Sequence, residues 1–422
     1  MNNKRYNQAW GLHGANGLHG LCCAHYYFLF IIYYLLFTTL VSCSSDDAEP
    51  AEEPGTPITL LAYTAQPLAT RADSSLLANE VIPAEKSIGV YAYYHDNTTW
   101  AAADAAEPKQ TAPNFMRNQK ATNSGINSPF TYSPIKYWPN EETDKLSFIA
   151  YYPYCTGVVD GTSEDINHTG ITPLLNNLGI GFPNGTGLPK FRFDVKDNVK
   201  QQVDFMVSDL IPDLPHSRDT EADPHTPFND LTLSDRVRFR FVHATAKIEF
   251  RVRVAEDVRQ DMAYFTLKGI SLTNIYNEAI LTPTYSAGDG TTLTWSGYGE
   301  YDKTDYACKT TEAYLLLPQT LRADAHLSVT YDLAFKSGGT TYTYDGSGNL
   351  IPTEEYAYLN RTTDVVLKDL TLTGSGDPLT AWLPNHHYIY NLVINPHGIG
   401  FEAKVVDWGE YGEINDIVVE EQ

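Results

Sequence analysis

The segment VRFRFVHATAKIEFRVRV (237–254) decides the fold class, because apolar and polar residues alternate along two consecutive parts of it. This period of two is typical of β-strands with one buried face. The predicted apolar face holds Val237, Phe239, Phe241, Ile248, Phe250, Val252 and Val254, and the polar face holds Arg236, Arg238, Arg240, Glu249, Arg251 and Arg253. The alternation changes phase around His243-Ala244-Thr245, which predicts a β-bulge or a crossing between sheets.

Similar strand patterns occur along most of the chain. They are rich in Tyr, Phe, Val, Ile and Thr and are bounded by turn-forming residues. The predicted strands are 58–65, 87–94, 130–137, 145–152, 202–208, 236–254, 264–273, 279–282, 313–317, 327–335, 362–372, 387–394 and 401–407. No segment has a sustained helical period, and 155–200 and 209–230 are predicted to be long loops.

These patterns predict an all-β protein with two tandem antiparallel β-sandwich domains. The loop 209–230 is rich in Pro and Asp and is the predicted boundary between them. The predicted N-terminal domain covers residues 57–222, and the predicted C-terminal domain covers residues 223–422.

The apolar run YYFLFIIYYLLFTTLV (26–41) holds no charge and is followed by Ser42 and Cys43. It has the length of a signal-peptide core and is shorter than the roughly 20 residues of a spanning helix. A small residue before a cysteine predicts a lipoprotein signal peptide, residues 1–42, which is cleaved so that Cys43 becomes lipidated. A transmembrane anchor is the alternative interpretation.

Acidic residues dominate the rest of the chain. Residues 43–56 (CSSDDAEPAEEPGT) are predicted to be a solvated acidic tether. The chain has 52 Asp and Glu against 29 Lys and Arg, a net charge of −23, and the predicted signal peptide removes two of the basic residues. This charge argues against nucleic acid and anionic membrane surfaces as partners, so membrane contact is expected through the lipid alone.

Sequence signals for catalysis or metal binding are weak. The chain contains no GxSxG, HExxH or phosphate-binding loop. His386 and His387 are adjacent in a predicted strand and point to opposite faces, so they do not easily share a metal. The loop DGSGN (345–349) lacks the regular acidic ligands of a calcium site and is predicted to be a hairpin turn. We therefore expect no enzyme activity, no cofactor and no metal.

Two further features leave alternatives open. Aromatic residues could form sugar-stacking platforms, although core packing and cross-strand pairs are favoured. The clusters are Tyr91, Tyr93 and Tyr94; Tyr137 and Trp138; and Tyr151, Tyr152 and Tyr154. Cys155 and Cys308 are the cysteines that remain after lipidation, and the sequence does not say whether they pair.

Several phrases in order resemble the fimbrillin (Mfa-like) family, the subunits of type V pili in Bacteroidota. They are ITLLAYTA (58–65), KSIGVYAYY (86–94), FTYSPIKYWPNEETDKLSFIAYYPY (130–154), QVDFMVSD (202–209), FRFVHATAKIEFRV (239–252), LPNHHYIYNLVI (383–394) and VVDW (405–408). The ordered set spans nearly the whole mature chain. The resemblance implies two transthyretin-like β-sandwich domains.

The resemblance also implies a function, a location and partners. Family members are surface-exposed outer-membrane lipoproteins that form fimbriae, and an arginine-specific protease cuts them in an early loop. The cut releases the first strand, and a strand from another subunit fills the groove. The implied cleavage lies between Arg71 and Ala72, and the released strand includes Ile58, Leu60, Leu61 and Tyr63.

A donor strand is also expected. The C-terminal tail EINDIVVEEQ (413–422) is the candidate, through Ile414, Ile417, Val418 and Val419. The expected role is a stalk or tip subunit that contributes to adhesion, with other fimbrial subunits as partners and a host glycan or protein as a further ligand. The alternatives are a lipid-anchored glycan- or ligand-binding module and an uncleaved pilus anchor.

Overall fold

The structure of the protein is a computed structural model. It describes residues 56–64, 82–125, 128–141, 143–176, 179–180, 185–215, 236–254, 262–299, 306–395 and 398–408. Among these residues, no helix has the length and apolar composition needed to cross a membrane.

The described chain is built mainly from strands. The strands up to the crossing segment are β1 (Thr59–Thr64), β2 (Ser87–His95), β3 (Met116–Asn123), β4 (Phe130–Tyr132), β5 (Lys145–Tyr152), β6 (Ile171–Pro173), β7 (Leu175–Asn176), β8 (Gly179–Ile180), β9 (Phe191–Asp194), β10 (Met206–Ser208), β11 (Ile211–Pro215) and β12 (Arg236–His243). Short helices are α1 (Trp100–Ala105) and α2 (Ile166–Thr169), and 3-10 turns lie at Val199–Gln201 and Leu367–Asp369. The later strands are β13 (Ala246–Val254), β14 (Met262–Thr273), β15 (Glu278–Ser286), β16 (Gly290–Ser296), β17 (Tyr306–Cys308), β18 (Ala313–Leu316), β19 (Gln319–Thr320), β20 (His326–Tyr344), β21 (Leu350–Val366), β22 (Ala381–Trp382), β23 (His386–Asn395) and β24 (Gly398–Asp407).

The N-terminal sheet closes on itself. Its hydrogen-bonded order is β12, β1, β4, β3, β2 and β5, and β10 joins β5 to β12 through Met206, which pairs with both Tyr152 and His243. Strand β11 pairs with β5 as an additional strand. Alternate side chains fill the interior, among them Ile58, Leu60, Ile88, Val90, Leu146, Phe148, Val237, Phe239 and Phe241.

A smaller sheet, with the order β16, β15, β9 and β6, packs against the outer side of this closed sheet. The ring centroids of Tyr151 in β5 and Phe191 in β9 lie 4.6 Å apart. Tyr91 and Tyr93 of β2 belong to the same buried cluster. Because β6 and β9 precede residue 209 and β15 and β16 follow residue 230, both predicted domains contribute strands to this sheet.

The C-terminal sandwich consists of the sheet β18, β13, β23, β24 and the sheet β17, β14, β20, β21. Its core includes Ile248, Phe250, Val252, Leu327, Val329, Tyr331, Tyr390 and Leu392. The sheets approach closely at Gly398, which has φ 140° and where an added Cβ would lie 2.6 Å from Tyr331 Oη. Only glycine fits such a position without strain.

The segment 237–254 forms strands as its pattern predicts, in two parts. Strand β12 lies in the closed sheet and β13 in the sandwich, with Ala244 and Thr245 between them. The change of phase at this point is therefore a crossing between sheets. Val237, Phe239, Ile248 and Phe250 are all buried, as the alternation predicts.

The predicted all-β fold class with sandwich-like sheets is confirmed, but the structure differs in two respects. One sheet is closed, and the pairs β1–β12 and β13–β23 are parallel. Parallel partners require a long connection. Turn signals in the sequence reveal only neighbouring strands, so they could not reveal these two pairs.

The predicted loops contain more regular structure than expected. The region 155–200 holds α2 and β6 to β9, and Ile211–Pro215 forms β11 on the closed sheet. The predicted domain boundary at 222/223 lies outside the described residues, so it stays a prediction. Strand β12, which follows it, pairs within the N-terminal sheet.

Candidate functional site

Strand β1 lies between β12 and β4 in the closed sheet. It runs parallel to β12 along its whole length, from Thr59↔Arg236 to Thr64↔Phe241. Its register with β4 consists of Leu60↔Phe130. A long ladder therefore holds β1 along one edge and a short ladder holds it along the other.

The residues just before β1 are hydrogen-bonded to the segment after β4. Ile58 N donates to Lys136 O over 2.9 Å, and Trp138 N donates to Thr56 O over 3.0 Å. Tyr132 Oη donates to Ile58 O over 2.7 Å. These hydrogen bonds satisfy the backbone N–H and C=O of Ile58 and the C=O of Thr56. The short strand β4 does not extend far enough to pair with these groups.

The inward face of β1 is apolar. Ile58 and Leu60 are 3% and 0% exposed, and Ala62 packs against the same interior cluster. Leu61 points to the other face and is half-buried. Burial of Ile58 and Leu60 contributes roughly 3–6 kcal/mol, at about 1.5–3 kcal/mol per side chain.

The groove that β1 fills is lined by strands β4 and β12. Phe130, Val237 and Phe239 are buried in the interior cluster beside it. Without β1, the backbone groups of β12 and these apolar side chains would face water. An unpaired strand edge with apolar neighbours accepts another strand readily.

The outward face of β12 is positively charged. Arg236, Arg238 and Arg240 alternate with its buried residues, and each is half-buried. The Arg240 guanidinium contacts the Asp209 carboxylate. All three arginines have further interactions within the chain. The strand next to β1 therefore has an apolar face and a basic face.

A sequence profile of fimbrillin-like proteins matches residues 70–408. The chain belongs to the fimbrillin-like family. This match confirms the resemblance carried by the ordered phrases of the sequence. Among curated proteins, no sequence matches this fimbrillin-like chain significantly.

Several solved structures are similar to this fimbrillin-like chain. A fimbrial protein from Bacteroides vulgatus is 18% identical with a TM-score of 0.52, over 83% of this chain and 99% of that chain. A fimbrilin from Porphyromonas gingivalis is 10% identical with a TM-score of 0.38, over 84% and 98%. The tip fimbrial protein Mfa3 from Porphyromonas gingivalis is 12% identical with a TM-score of 0.32, over 83% and 100%. The first of these likenesses shows the fold.

Several predicted site residues of the fimbrillin-like chain lie outside the described residues. They are Cys43, Arg71, Ala72, Ile414, Ile417, Val418 and Val419. Of the predicted released strand, the structure describes the side chains of Ile58, Leu60 and Leu61 and the backbone of Tyr63. The lipidation, cleavage and donor assignments therefore stay predictions.

Sequence reasoning missed the lining of the groove. Phe130 and Phe239 lie 109 positions apart, and no local pattern indicates that one strand separates their strands. The alternation in 237–254 correctly placed Arg236, Arg238 and Arg240 on one face of β12. It could not predict that β12 pairs with β1.

The aromatic clusters belong mainly to the core. Tyr91, Tyr93 and Tyr151 are fully buried, and burial raises the pKa of each of these hydroxyls. Trp138 is also buried, whereas its neighbour Tyr137 is 43% exposed. Core packing, the favoured interpretation of these clusters, is confirmed for the buried members.

Two other tyrosines border a polar cleft with a volume of about 280 Å³. Tyr152 and Tyr154 are half-buried, and Glu85, Glu164 and Asp204 lie along the same cleft. Aromatic faces next to carboxylates suit ligands rich in hydroxyl groups, such as sugars. The cleft is separate from the residues that line the β1 groove.

The adjacent histidines have separate surroundings. His387 is fully buried, with Nε2 2.9 Å from Glu249 Oε2. His386 Nδ1 lies 2.7 Å from Pro384 O. Within the described ranges, no group of three or more histidines, cysteines or carboxylates is arranged to hold a metal ion.

The two cysteines among the described residues do not pair with each other in this structure. Cys155 and Cys308 are both free and buried. Burial raises the pKa of both thiols. The question that the sequence left open is therefore answered in favour of two separate thiols.

The loop between β20 and β21 is a hairpin turn, as predicted. Asp345 Oδ1 accepts hydrogen bonds from Ser347 N over 2.9 Å and from Asn349 N over 2.8 Å. The carboxylate therefore caps its own turn.

Proposed function

We propose that this chain is a stalk or tip subunit of a cell-surface fimbria, assembled by strand exchange and contributing to adhesion. Strand β1 carries the proposal, because it is an N-terminal strand that fills an apolar groove. It is followed by a segment that contains Arg71. Membership of the fimbrillin-like family supports the same role.

The proposed precursor is a surface-exposed outer-membrane lipoprotein. The acyl chains on Cys43 hold the precursor at the membrane. The solvated acidic tether at 43–56 separates the folded part of the chain from the membrane surface. An arginine-specific protease cuts between Arg71 and Ala72. This single cut separates the lipid anchor from the rest of the chain. It also breaks the covalent link between β1 and the strands that line the groove, so that β1 can leave.

The open groove then binds a strand from another subunit. The incoming strand restores the backbone ladder of β12 and buries the side chains that β1 had covered. The candidate donor is the C-terminal tail at 413–422. Because donor and acceptor are different surfaces, the contact is heterologous and repeats from one subunit to the next, and it builds a filament when the rotation between subunits does not close a ring.

The test begins with the unlipidated protein from Ser44 onward and an Arg71→Gln variant as the matched control. Each is treated with an arginine-specific protease, the new N-terminus is mapped, and the product is run unboiled on a denaturing gel. We expect a cut before Ala72 and a ladder of stable oligomers, with neither in the variant. A cleaved chain that has lost β1 and stays monomeric, even with partner subunits, would contradict strand exchange.

The same experiment separates the alternatives. A folded wild-type chain that resists cleavage at Arg71 would favour a permanently anchored protein, either a pilus anchor or a glycan-binding module. The cleft beside Tyr152 and Tyr154 is the surface that such a glycan-binding module would use.

A further inference from the structure

The polar cleft beside Tyr152 and Tyr154 lies at one end of the closed sheet. Strands β2 and β10 both pair with β5, and residues 85–87, 152–154 and 202–204 line the cleft where these three strands begin or end. The ends of closed sheets are common places for small-molecule sites. The volume of about 280 Å³ is near the lower end of the sizes of such sites, about 300 Å³, so the cleft has room for one small unit.

Backbone hydrogen bonds order the walls of this cleft. Tyr154 N donates to Ser87 O over 2.8 Å, which ties the end of β5 to the start of β2. Thr156 N donates to Glu164 O over 2.8 Å, which ties the segment before α2 to the same wall. A cleft with ordered walls loses little conformational entropy when a ligand binds.

Two carboxylates of the lining are oriented by neighbouring side chains. Lys120 Nζ donates to Glu164 Oε2 over 2.7 Å and lies 5.7 Å from the centroid of the Tyr154 ring. His243 Nδ1 lies 2.7 Å from Asp204 Oδ1. Each contact uses one carboxylate oxygen, and an ionised carboxylate can accept further hydrogen bonds through the other.

Other polar groups of the lining are available to a ligand. The hydroxyls of Tyr152 and Tyr154 and the side chains of Glu85 and Lys86 have no hydrogen-bond partner among the described residues. Burial raises the pKa of both tyrosines, so their hydroxyls stay protonated and can donate. The cleft thus combines donors, acceptors and aromatic rings. A sugar hydroxyl both donates and accepts, and sugar rings also have apolar C–H groups that aromatic rings can contact.

The charge of the lining narrows the class of sugar. Glu85, Glu164 and Asp204 outnumber Lys86, and Lys120 is already paired with Glu164. A sugar that carries a carboxylate would meet like charge in this cleft and lose affinity. An uncharged sugar does not meet this repulsion.

We propose that this cleft binds one uncharged sugar unit of a glycan, with the Tyr152 hydroxyl as a donor and the Asp204 carboxylate as an acceptor. The inference rests on the adhesion part of the proposed function and names its ligand class. It does not depend on strand exchange, because the lining comes from segments next to β2, β5, β10 and α2 and not from β1. One cleft in each copy of a filament would raise the avidity for a glycan-covered surface without any new contact.

The test uses the unlipidated protein from Ser44 onward, before any cleavage. Saturation-transfer NMR titrations measure the Kd of five neutral sugars, which are galactose, glucose, mannose, fucose and N-acetylglucosamine. N-acetylneuraminic acid serves as the anionic probe and lysine amide as the cationic probe. We expect at least one neutral sugar to bind, with transfer to its ring protons, and to bind more tightly than both charged probes.

A tyrosine variant locates the binding in the cleft. Tyr152→Phe removes the hydroxyl and keeps the ring, and we expect it to raise the Kd of the sugar about three- to tenfold through the loss of one hydrogen bond. The thermal midpoint should not change, because this hydroxyl has no hydrogen-bond partner among the described residues. Tyr344→Phe makes the same change at a tyrosine that is 73% exposed and outside the lining, and it should change the Kd less than twofold.

The outcomes separate this inference from the proposed strand exchange. If none of the five sugars binds, or if lysine amide binds more tightly than all of them, the inference is wrong. Sugar binding that Tyr152→Phe and Tyr344→Phe change equally would place the site elsewhere and overturn it as well. Protease treatment of the same sample then tests the proposed function. A chain that binds sugar but forms no oligomers after cleavage would keep this inference and contradict strand exchange, and oligomers without sugar binding would do the reverse.

Discussion

At the scale of single residues, the buried cluster around Glu249 is the clearest source of pH dependence. Burial opposes its ionisation, but hydrogen bonds from His387 and Arg251 outweigh burial and lower the pKa of the Glu249 carboxyl to about 2. Because the folded pKa is below the unfolded value of 4.5, ionised Glu249 stabilises the fold above pH 4.5. That contribution is lost as the pH falls from 4.5 to about 2.

We therefore expect Glu249→Gln to lower the free energy of unfolding at pH 7 by up to about 3 kcal/mol. The difference from the wild type should shrink below pH 4.5, because the Glu249 carboxyl is then protonated in the unfolded state while it stays ionised in the folded state down to about pH 2. Urea unfolding from pH 7 to pH 3 measures both. Glu278→Gln, which alters a more exposed pair with Arg192, serves as the control. If the stability difference between the wild type and Glu249→Gln does not change with pH, the ionisation of Glu249 is not its cause.

This cluster also shows what the sequence could not predict at residue scale. The alternation placed Glu249 and Arg251 correctly on the polar face of their strand. Their partner His387 lies 138 positions away and meets Glu249 through the parallel pairing of β13 with β23. The predicted polar face is therefore partly buried around Glu249 and Arg251.

At the scale of elements, strand β2 depends on a glycine. An added Cβ at Gly89 would overlap the Tyr151 ring and Asn118 Oδ1. Tyr151 cannot easily move, since its ring is fully buried and its hydroxyl donates to Asn118 over 2.8 Å. We expect Gly89→Ala to cost about 1–3 kcal/mol of stability through overpacking.

Chemical unfolding of Gly89→Ala beside Gly269→Ala measures this effect. Gly269 lies in β14, and an added Cβ there meets nothing within 4 Å. We expect the Gly269 variant to keep wild-type stability within about 0.5 kcal/mol. Equal losses in both variants would mean that strand propensity, rather than contact with Tyr151, sets the cost.

The elements also mark the limit of prediction for the candidate site. The strand character of β1 and β12 is predicted from their local patterns. Their parallel pairing is not predicted, because Leu60 and Val237 lie 177 positions apart and no local turn connects their strands. The groove between β12 and β4 therefore arises from tertiary structure, although the strand patterns that line it are present in the sequence.

At the scale of the molecule, the described residues from Thr56 to Trp408 form one compact unit. One buried cluster includes Tyr91 of the closed sheet, Phe191 of the small sheet and Ile248 of the sandwich. The sequence predicted two tandem domains because the Pro-rich loop 209–230 resembles a linker. It could not predict that β15 returns to pair with β9.

This shared core leads to a prediction about cooperativity. Independent sandwiches would unfold in two steps, whereas a continuous core couples both halves. We expect the protein from Ser44 onward to unfold in one calorimetric transition, with equal van't Hoff and calorimetric enthalpies. Phe191→Ala should lower its stability by about 3–5 kcal/mol, because the ring is fully buried.

The same variant also tests the coupling itself. Since Phe191 packs on Tyr151 of the closed sheet and Phe205 beside it, its loss weakens the joint between the halves. The single transition should then broaden or divide, while Leu333→Ala, a buried deletion within the sandwich, should lower the midpoint and keep one transition. Two resolved transitions in the wild type would show that the halves are independent and that the buried cluster does not couple their unfolding.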